Sequence, residues 1–116
     1  MEFRKLKVYN RAVYFTKEVY ILSKEIPRTE EFGLVSQLRR AAVSIALNIA
    51  EGSGSSSKIE FARFLSMSIR SLYEVDATLE LLVKLDYCKR ERITNIYEER
   101  IVLGKMLGQF IKKLRT

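Results

Sequence analysis

The side chains that most often carry catalysis are nearly absent from this sequence of 116 residues. It contains no histidine and only one cysteine, Cys88. Without histidine there is no general base of the commonest kind near neutral pH, and no catalytic triad or Glu-x-x-His di-iron site that depends on it. One cysteine cannot complete a zinc site of the usual ligand count. We therefore expect no metal or other cofactor, and we expect that the protein is not an enzyme.

One polar stripe could still form a site in a segment that is otherwise apolar. Its members recur every three or four residues and thus share one helical face: Gln37, Arg40, Ser44, Asn48 and Glu51. Polar groups in a helical core usually satisfy one another. We interpret the stripe as a buried network of hydrogen bonds and ion pairs that fixes the helix register. The alternative is a ligand pocket or catalytic site around Arg40, Asn48 and Glu51.

The glycine- and serine-rich segment from Gly52 to Lys58 is only faintly similar to a phosphate-binding loop. Its glycine and lysine spacing differs from that motif, and a predicted helix precedes it where a strand should stand. We interpret the segment as a linker between two helices. Gly52 is expected to end one helix in the left-handed conformation, and Ser57 with Glu60 forms a capping box that opens the next.

Hydrophobic periodicity predicts that four helices position these residues. Apolar side chains recur at intervals of three and four residues in four segments, at about residues 6–25, 32–51, 58–85 and 91–114. The third segment keeps this alternation for three heptads, which is typical of helices that pack at a shallow angle. Short connections between four helices favour an all-α, antiparallel up-down-up-down four-helix bundle, with residues 1–116 as a single domain.

The positive charge is concentrated in the two terminal parts of the chain. The formal net charge is +7, with +4 on residues 1–28, −2 on residues 29–88 and +5 on residues 89–116. In the predicted topology the first and fourth helices are neighbours, so their basic residues can share one side. That side is either a charged face that maintains solubility or a surface for nucleic-acid phosphates. For the second interpretation we expect contacts from Arg4, Lys5, Lys7, Arg11, Arg92, Lys105, Lys112 and Lys113.

Targeting signals and membrane spans are not apparent. No apolar run approaches the roughly 18 residues that a membrane span needs, and the first residues lack the apolar stretch of a secretion signal. A single cysteine cannot form an internal disulfide, which agrees with a reducing compartment. We therefore expect a cytoplasmic protein that does not bind a membrane.

Several motifs are spread over nearly the whole chain. They are Leu6-Lys7-Val8-Tyr9, Ile26-Pro27, the run from Gly33 to Ile45, the run from Asn48 to Gly52, the run from Glu60 to Leu65, and Ser71-Leu72-Tyr73-Glu74. Together they resemble the four-helix-bundle family of proteins encoded in 23S rRNA intervening sequences, and they are similar to the accessory variability determinant proteins of diversity-generating retroelements. The sequence departs from the family pattern at Ala46 and Leu47, where proline and serine are usual, and in its serine-rich loop.

The resemblance implies a bundle that assembles as a ring-like homo-oligomer, a homopentamer, often with a basic surface. In the retroelement branch this surface binds nucleic acid and a reverse transcriptase, so a reverse transcriptase is an expected partner only in a retroelement context. No catalytic residues are defined for the family. Independently of the resemblance, the second-helix face with Arg39, Val43 and Leu47 is expected to stay uncovered within one bundle, which leaves apolar area for a neighbouring subunit.

The leading hypothesis is a non-enzymatic, homo-oligomeric nucleic-acid-binding protein. It would contact the phosphates of structured RNA, or of DNA, with little readout of the bases. The alternative is a protein-interaction scaffold with no nucleic-acid role, whose apolar and tyrosine-bearing outer faces bind another protein. Phosphate contacts weaken steeply as salt is added, whereas an apolar interface does not, so salt dependence separates the two hypotheses.

Overall fold

Four long helices make up most of the protein in a computed structural model that describes residues 1–116. They are α1 (Lys7–Ser23), α2 (Leu34–Ser53), α3 (Lys58–Lys84) and α4 (Arg90–Leu114). Their bounds lie within two residues of those predicted from periodicity. Short 3-10 turns at Phe3–Lys5 and Arg28–Glu30 precede α1 and α2. None of the helices combines the length and the apolar composition needed to cross a membrane.

Each helix packs against the next one along the chain, and α4 also packs against α1. Neighbouring helices run in opposite directions. Val8, near the start of α1, lines a groove together with Phe110, near the end of α4, while Glu25, just beyond α1, forms an ion pair with Arg92, at the start of α4. The predicted all-α four-helix bundle is therefore confirmed, and its assembly into a ring stays a prediction.

A single hydrophobic core of 24 residues runs through the bundle. The residues predicted at three- and four-residue spacing to face the core, from Val8 to Leu22 in α1 (the α1 stripe) and from Phe61 to Leu82 in α3 (the α3 stripe), are all buried. The largest side chains that are withdrawn from solvent come from all four helices and include Phe15, Leu38, Leu65 and Leu103. Burying such a side chain contributes about 1.5–3 kcal/mol relative to leaving it exposed. The buried hydroxyl of Ser68, within the α3 stripe, is satisfied because it donates a hydrogen bond to the Ile45 carbonyl at 2.8 Å.

The connection between α2 and α3 differs in part from its prediction. Gly52 does not end α2 in the left-handed conformation, since the helix continues to Ser53 and no glycine has a positive φ. Instead, Gly52 allows close packing, because a Cβ at this position would lie 2.6 Å from the Cβ of Phe64. The helix cap is confirmed, as the Ser57 hydroxyl accepts a hydrogen bond from the Glu60 N–H at 3.1 Å.

Candidate nucleic-acid interface

The polar stripe of α2 does not form a buried network. Gln37, Arg40 and Glu51 are exposed, and only Ser44 and Asn48 are partly buried. The stripe lies at the edge of the contact between α2 and α3. At such an edge, long polar side chains extend beyond the apolar residues of the contact and reach water. The prediction of a buried network is therefore wrong for these three residues.

Of the two shorter members of the stripe, Asn48 bonds to Ser44 within α2, and Ser44 links α2 to α3. The Asn48 amide donates to the Ser44 carbonyl at 2.9 Å and to the Ser44 hydroxyl at 3.1 Å. Across the interface, the Ser71 hydroxyl donates to the Ser44 hydroxyl at 2.9 Å. Gln37 donates to Glu74 of α3. The Ser44–Ser71 and Gln37–Glu74 hydrogen bonds connect α2 and α3 at the surface of the bundle.

An open groove of about 650 Å³ runs along the outer face of α2 beside this stripe. Arg40, Asn48 and Glu51 all line it, together with Tyr20 of α1 and Phe32. Arg39 is held at its edge, since its Nε donates to the Ser23 hydroxyl at 2.8 Å and its guanidinium lies 5.0 Å from the centre of the Tyr20 ring. The groove has the size of a small ligand, but it is open, and the Arg40 and Glu51 side chains within it are exposed, so it does not exclude water.

The eight basic residues expected to bind phosphates fall into two groups. The first group consists of arginines that already have carboxylate partners: Arg4 pairs with Glu2, Arg11 with Glu99, and Arg92 with Glu25. Hydrogen bonds from the Arg4 backbone N–H and guanidinium lower the pKa of Glu2, and the Arg92 guanidinium lowers the pKa of Glu25. These carboxylates stay ionised at neutral pH and offset the positive charge of their partners.

The second group consists of lysines without ion pairs: Lys5, Lys7, Lys105, Lys112 and Lys113. All of them are exposed. Lys7 of α1 and Lys113 of α4 line the same groove, of about 500 Å³. The antiparallel packing of α1 and α4 thus brings the lysines of both chain termini together.

Two of the predicted residues, Arg92 and Lys105, lie apart from the four lysines at the chain termini, Lys5, Lys7, Lys112 and Lys113. Along α4, Arg92 lies about 30 Å from Lys112, at 1.5 Å per residue, and thus at the other end of the bundle. Lys105 lies about 10 Å from Lys112 and lines a different groove, beside Tyr73 and Arg100. The expected surface along the α1–α4 side is therefore not continuous in the structure.

A second groove, of about 430 Å³, lies between the outer faces of α1 and α2 and is mainly apolar. We call it the α1–α2 groove. Its most exposed apolar side chains are Val13, Ile21 and Leu47, which have 37%, 50% and 55% of their surface accessible to solvent. Of the second-helix face with Arg39, Val43 and Leu47 that was expected to stay uncovered, Leu47 is exposed, whereas Arg39 and Val43 are partly buried. The sequence analysis did not identify Ile21. This residue follows Val13 by eight positions in α1, and neither of them belongs to the buried stripe of that helix.

The acidic side chains and the single thiol do not cluster in the structure. No group of three or more His, Cys, Asp and Glu side chains is arranged to hold a metal ion. The Cys88 thiol is partly buried just before α4, and burial raises its pKa. A raised pKa leaves little thiolate at neutral pH, so this thiol is a weak nucleophile there.

Comparisons with known proteins agree with this architecture. Residues 4–109 match the family described as 23S rRNA-intervening sequence protein. The structure is similar to the crystal structure, at 1.70 Å resolution, of a protein of unknown function from the S23 ribosomal protein family of Bacteroides thetaiotaomicron VPI-5482. That similarity has a TM-score of 0.82 and 27% sequence identity, and it covers 90% of this chain and 98% of the other. None of the curated proteins is significantly similar in sequence. Because the match extends over most of its residues, the chain belongs to the 23S rRNA-intervening sequence protein family.

Proposed function

We propose that the protein binds structured nucleic acid through phosphate contacts and does not catalyse a reaction. The observation that carries this proposal is the group formed by Lys5, Lys7, Lys112 and Lys113, which are exposed and free of ion pairs at the adjoining ends of α1 and α4. An unpaired ammonium group can replace the counterions of a phosphate backbone, which favours binding without base readout.

RNA is the first ligand to test. The matched family is named for an intervening sequence of 23S rRNA, and the similar Bacteroides protein is assigned to a ribosomal protein family. The non-enzymatic part of the proposal is supported by the sequence, which has no histidine, and by the openness of the groove beside Arg40, Asn48 and Glu51. An active site normally excludes water around its reacting groups.

A direct test compares two variants that carry the same change in charge. In the first, Lys5, Lys7, Lys112 and Lys113 are all changed to Glu. In the control, four exposed basic residues without ion pairs elsewhere are changed to Glu: Arg28, Arg70, Lys84 and Lys89. Both variants have a formal net charge of −1 instead of +7. Binding to a mixed set of structured RNAs and DNA duplexes is measured from low to near-physiological salt.

We expect the unaltered protein to bind tightly and to lose affinity as salt is added. The first variant should lose much more affinity than the control. If the unaltered protein does not bind even at low salt, the proposal is wrong and the positive charge serves solubility. Binding that both variants lose equally would show that overall charge, rather than these lysines, determines affinity.

The second part of the proposal is that the protein is a homo-oligomer in which a second copy covers the α1–α2 groove. Three partly exposed apolar side chains in one groove, Val13, Ile21 and Leu47, favour a contact that removes them from water. The number of five subunits follows from the family resemblance. A ring would repeat the lysine group in every subunit, and weak individual contacts would then add up through avidity.

Light scattering coupled to size-exclusion chromatography tests the oligomer. We expect a mass well above that of the monomer, and we expect Leu47→Lys to reduce it because the charge would have to be buried at the interface. Leu81→Lys, on the outer face of α3 with similar exposure, serves as the control and should leave the mass unchanged. A monomer at micromolar concentration in the unaltered protein would contradict the proposal.

The α1–α2 groove also supports the alternative function, a scaffold that binds another protein. Phe32, which is 92% exposed, lines the neighbouring groove of α2 and extends the apolar surface. A reverse transcriptase, the partner known in the similar retroelement branch, would be tested where its gene lies nearby. A complex that persists at high salt, together with no affinity for nucleic acid, would favour the scaffold over the leading proposal.

A further inference from the structure

The two ends of the bundle differ strongly in charge. One end, here called the basic end, consists of residues 1–7, 51–63 and 112–116 and carries eight basic and three acidic side chains. The opposite end, residues 24–31 and 80–92, carries six of each. Most of the excess positive charge of the protein therefore lies at one end.

The segments of the basic end form one surface, although they are distant in sequence. The Met1 amino group donates a hydrogen bond to the Ser53 carbonyl at 3.0 Å. The Phe61 ring of α3 packs against the Phe110 ring of α4 with 5.1 Å between their centres. Lys7 and Lys113 line a common groove. These contacts join all four helices at an end face that, across the bundle axis, measures at most about 23 by 20 Å.

Six cations at this end are exposed and have no ion pair: Lys5, Lys7, Lys58, Lys112, Lys113 and Arg115. The other two basic residues, Arg4 and Arg63, are paired with Glu2 and Glu60. Glu51 is the one acidic side chain that remains unpaired. Lys58 and Arg115 complete the basic end. Neither of them was among the eight residues predicted from the sequence to contact phosphates.

None of the aromatic side chains at the basic end is exposed, since Phe61 is buried and Phe3, Phe64 and Phe110 are partly buried. Phe3 packs edge-on against Tyr9 at 4.9 Å, and the Arg4 guanidinium lies 4.5 Å from the centre of the Phe3 ring. Phe61 is buried against Phe110. The most exposed aromatic side chains lie outside this end: Tyr14, Phe32, Tyr73 and Tyr97. Proteins that bind single strands usually combine positive charge with free aromatic rings, whereas the rings at the basic end pack against one another or against an arginine.

We propose that the basic end binds the phosphate backbones of double-helical nucleic acid end-on, with Lys58 and Arg115 as part of the contact. This inference rests on the proposed function and specifies both its surface and its ligand class. A face of about 23 by 20 Å is wide enough to reach both backbones across a groove, since the grooves of duplex DNA are about 6 and 12 Å wide. The shared chemistry is the duplex phosphate, whether in RNA or in DNA.

The test uses Lys58→Gln with Arg115→Gln, and a matched control with Arg28→Gln and Lys84→Gln at the opposite end. All four residues are exposed and lack ion pairs. Fluorescence anisotropy measures the affinity for an RNA hairpin, a DNA duplex and an unstructured single strand with equal numbers of phosphates, at several salt concentrations. Circular dichroism verifies that both variants keep their helices.

We expect the unaltered protein to bind at least one of the duplexes more tightly than the single strand. The Lys58 and Arg115 variant should lose about tenfold in duplex affinity, and its slope of log affinity against log salt should fall by about two. The control should change by much less. Equal losses of duplex affinity in the two variants would overturn the contact through the basic end. Equal affinity of the unaltered protein for the single strand and the duplexes would overturn the duplex as its ligand. In both cases nucleic-acid binding itself would stand. If no nucleic acid binds at low salt, the proposed function fails and this inference with it.

Discussion

At the scale of single residues, Gly52 lies where the end of α2 packs closely on α3. A Cβ at this position would lie 2.6 Å from the Phe64 Cβ and 2.9 Å from the Phe61 Cδ1. Gly52→Ala should therefore push the two helices apart and cost about 1–3 kcal/mol. Alanine would recover only about 1 kcal/mol through its better helix propensity. We expect a net decrease in the free energy of unfolding, measured by urea denaturation.

Gly108 of α4 provides the control for Gly52. It is an exposed glycine inside a helix, and a Cβ there would meet nothing within 4 Å. Gly108→Ala should raise the free energy of unfolding by about 0.5–1 kcal/mol, because it restricts the unfolded chain without a clash. Stabilisation by both substitutions would contradict the assigned role of Gly52.

The reactivity of Cys88 is a second prediction at this scale. Burial raises the pKa of its thiol, and the nearby Arg92 guanidinium lowers it only in part. Since only the thiolate reacts with iodoacetamide, the alkylation rate of the folded protein should reach half its maximum at a higher pH than that of the chain unfolded in urea. Coinciding pH profiles would show that the folded environment does not disfavour the thiolate.

At the scale of helices, the start of α3 depends on one side-chain hydrogen bond. Ser57 caps the helix by accepting from the Glu60 N–H. Ser57→Ala should lower the free energy of unfolding by about 0.5–2 kcal/mol, as loss of a serine cap usually does. The neighbouring Ser56 is exposed and forms no side-chain hydrogen bond, so Ser56→Ala should change stability by less than about 0.5 kcal/mol. Thermal unfolding of both variants measures the difference.

The sequence predicted the helices well because the signals that define them are local. Periodicity identified the α3 stripe, and the serine and glutamate at its start identified the cap. Gly52 was misinterpreted because its role depends on Phe64, which is 12 residues away and reaches it only after α3 packs on α2. The polar stripe was misinterpreted for a related reason. Periodicity shows which residues share a face, but how much of that face a neighbouring helix covers is decided by the packing.

At the scale of the whole molecule, the charge pattern could be predicted only in part. Counting along the sequence located the excess at both termini, and the antiparallel topology correctly brought α1 and α4 together. The ion pairs of Arg11 and Arg92 depend on acidic residues 88 and 67 positions away, which no local pattern reveals. Lys58 joins the terminal lysines because α3 begins at the same end of the bundle. The candidate surface therefore follows from the fold rather than from the sequence segments that carry most charge.

Concentrating unpaired lysines at one end should also cost stability, because like charges repel in the folded state. Lys7 and Lys113 line the same groove, so replacing one of them relieves repulsion on the other. We expect Lys7→Gln to raise the free energy of unfolding at low salt by about 0.2–1 kcal/mol, the size of a surface charge interaction. Lys17→Gln, on the same helix but outside the basic end, should raise it by less. In about 1 M NaCl, where the screening length falls to about 3 Å, the advantage of Lys7→Gln should vanish. An advantage that persists in high salt would mean that the substitution improves packing, and the unpaired charges at this end would then not repel each other measurably.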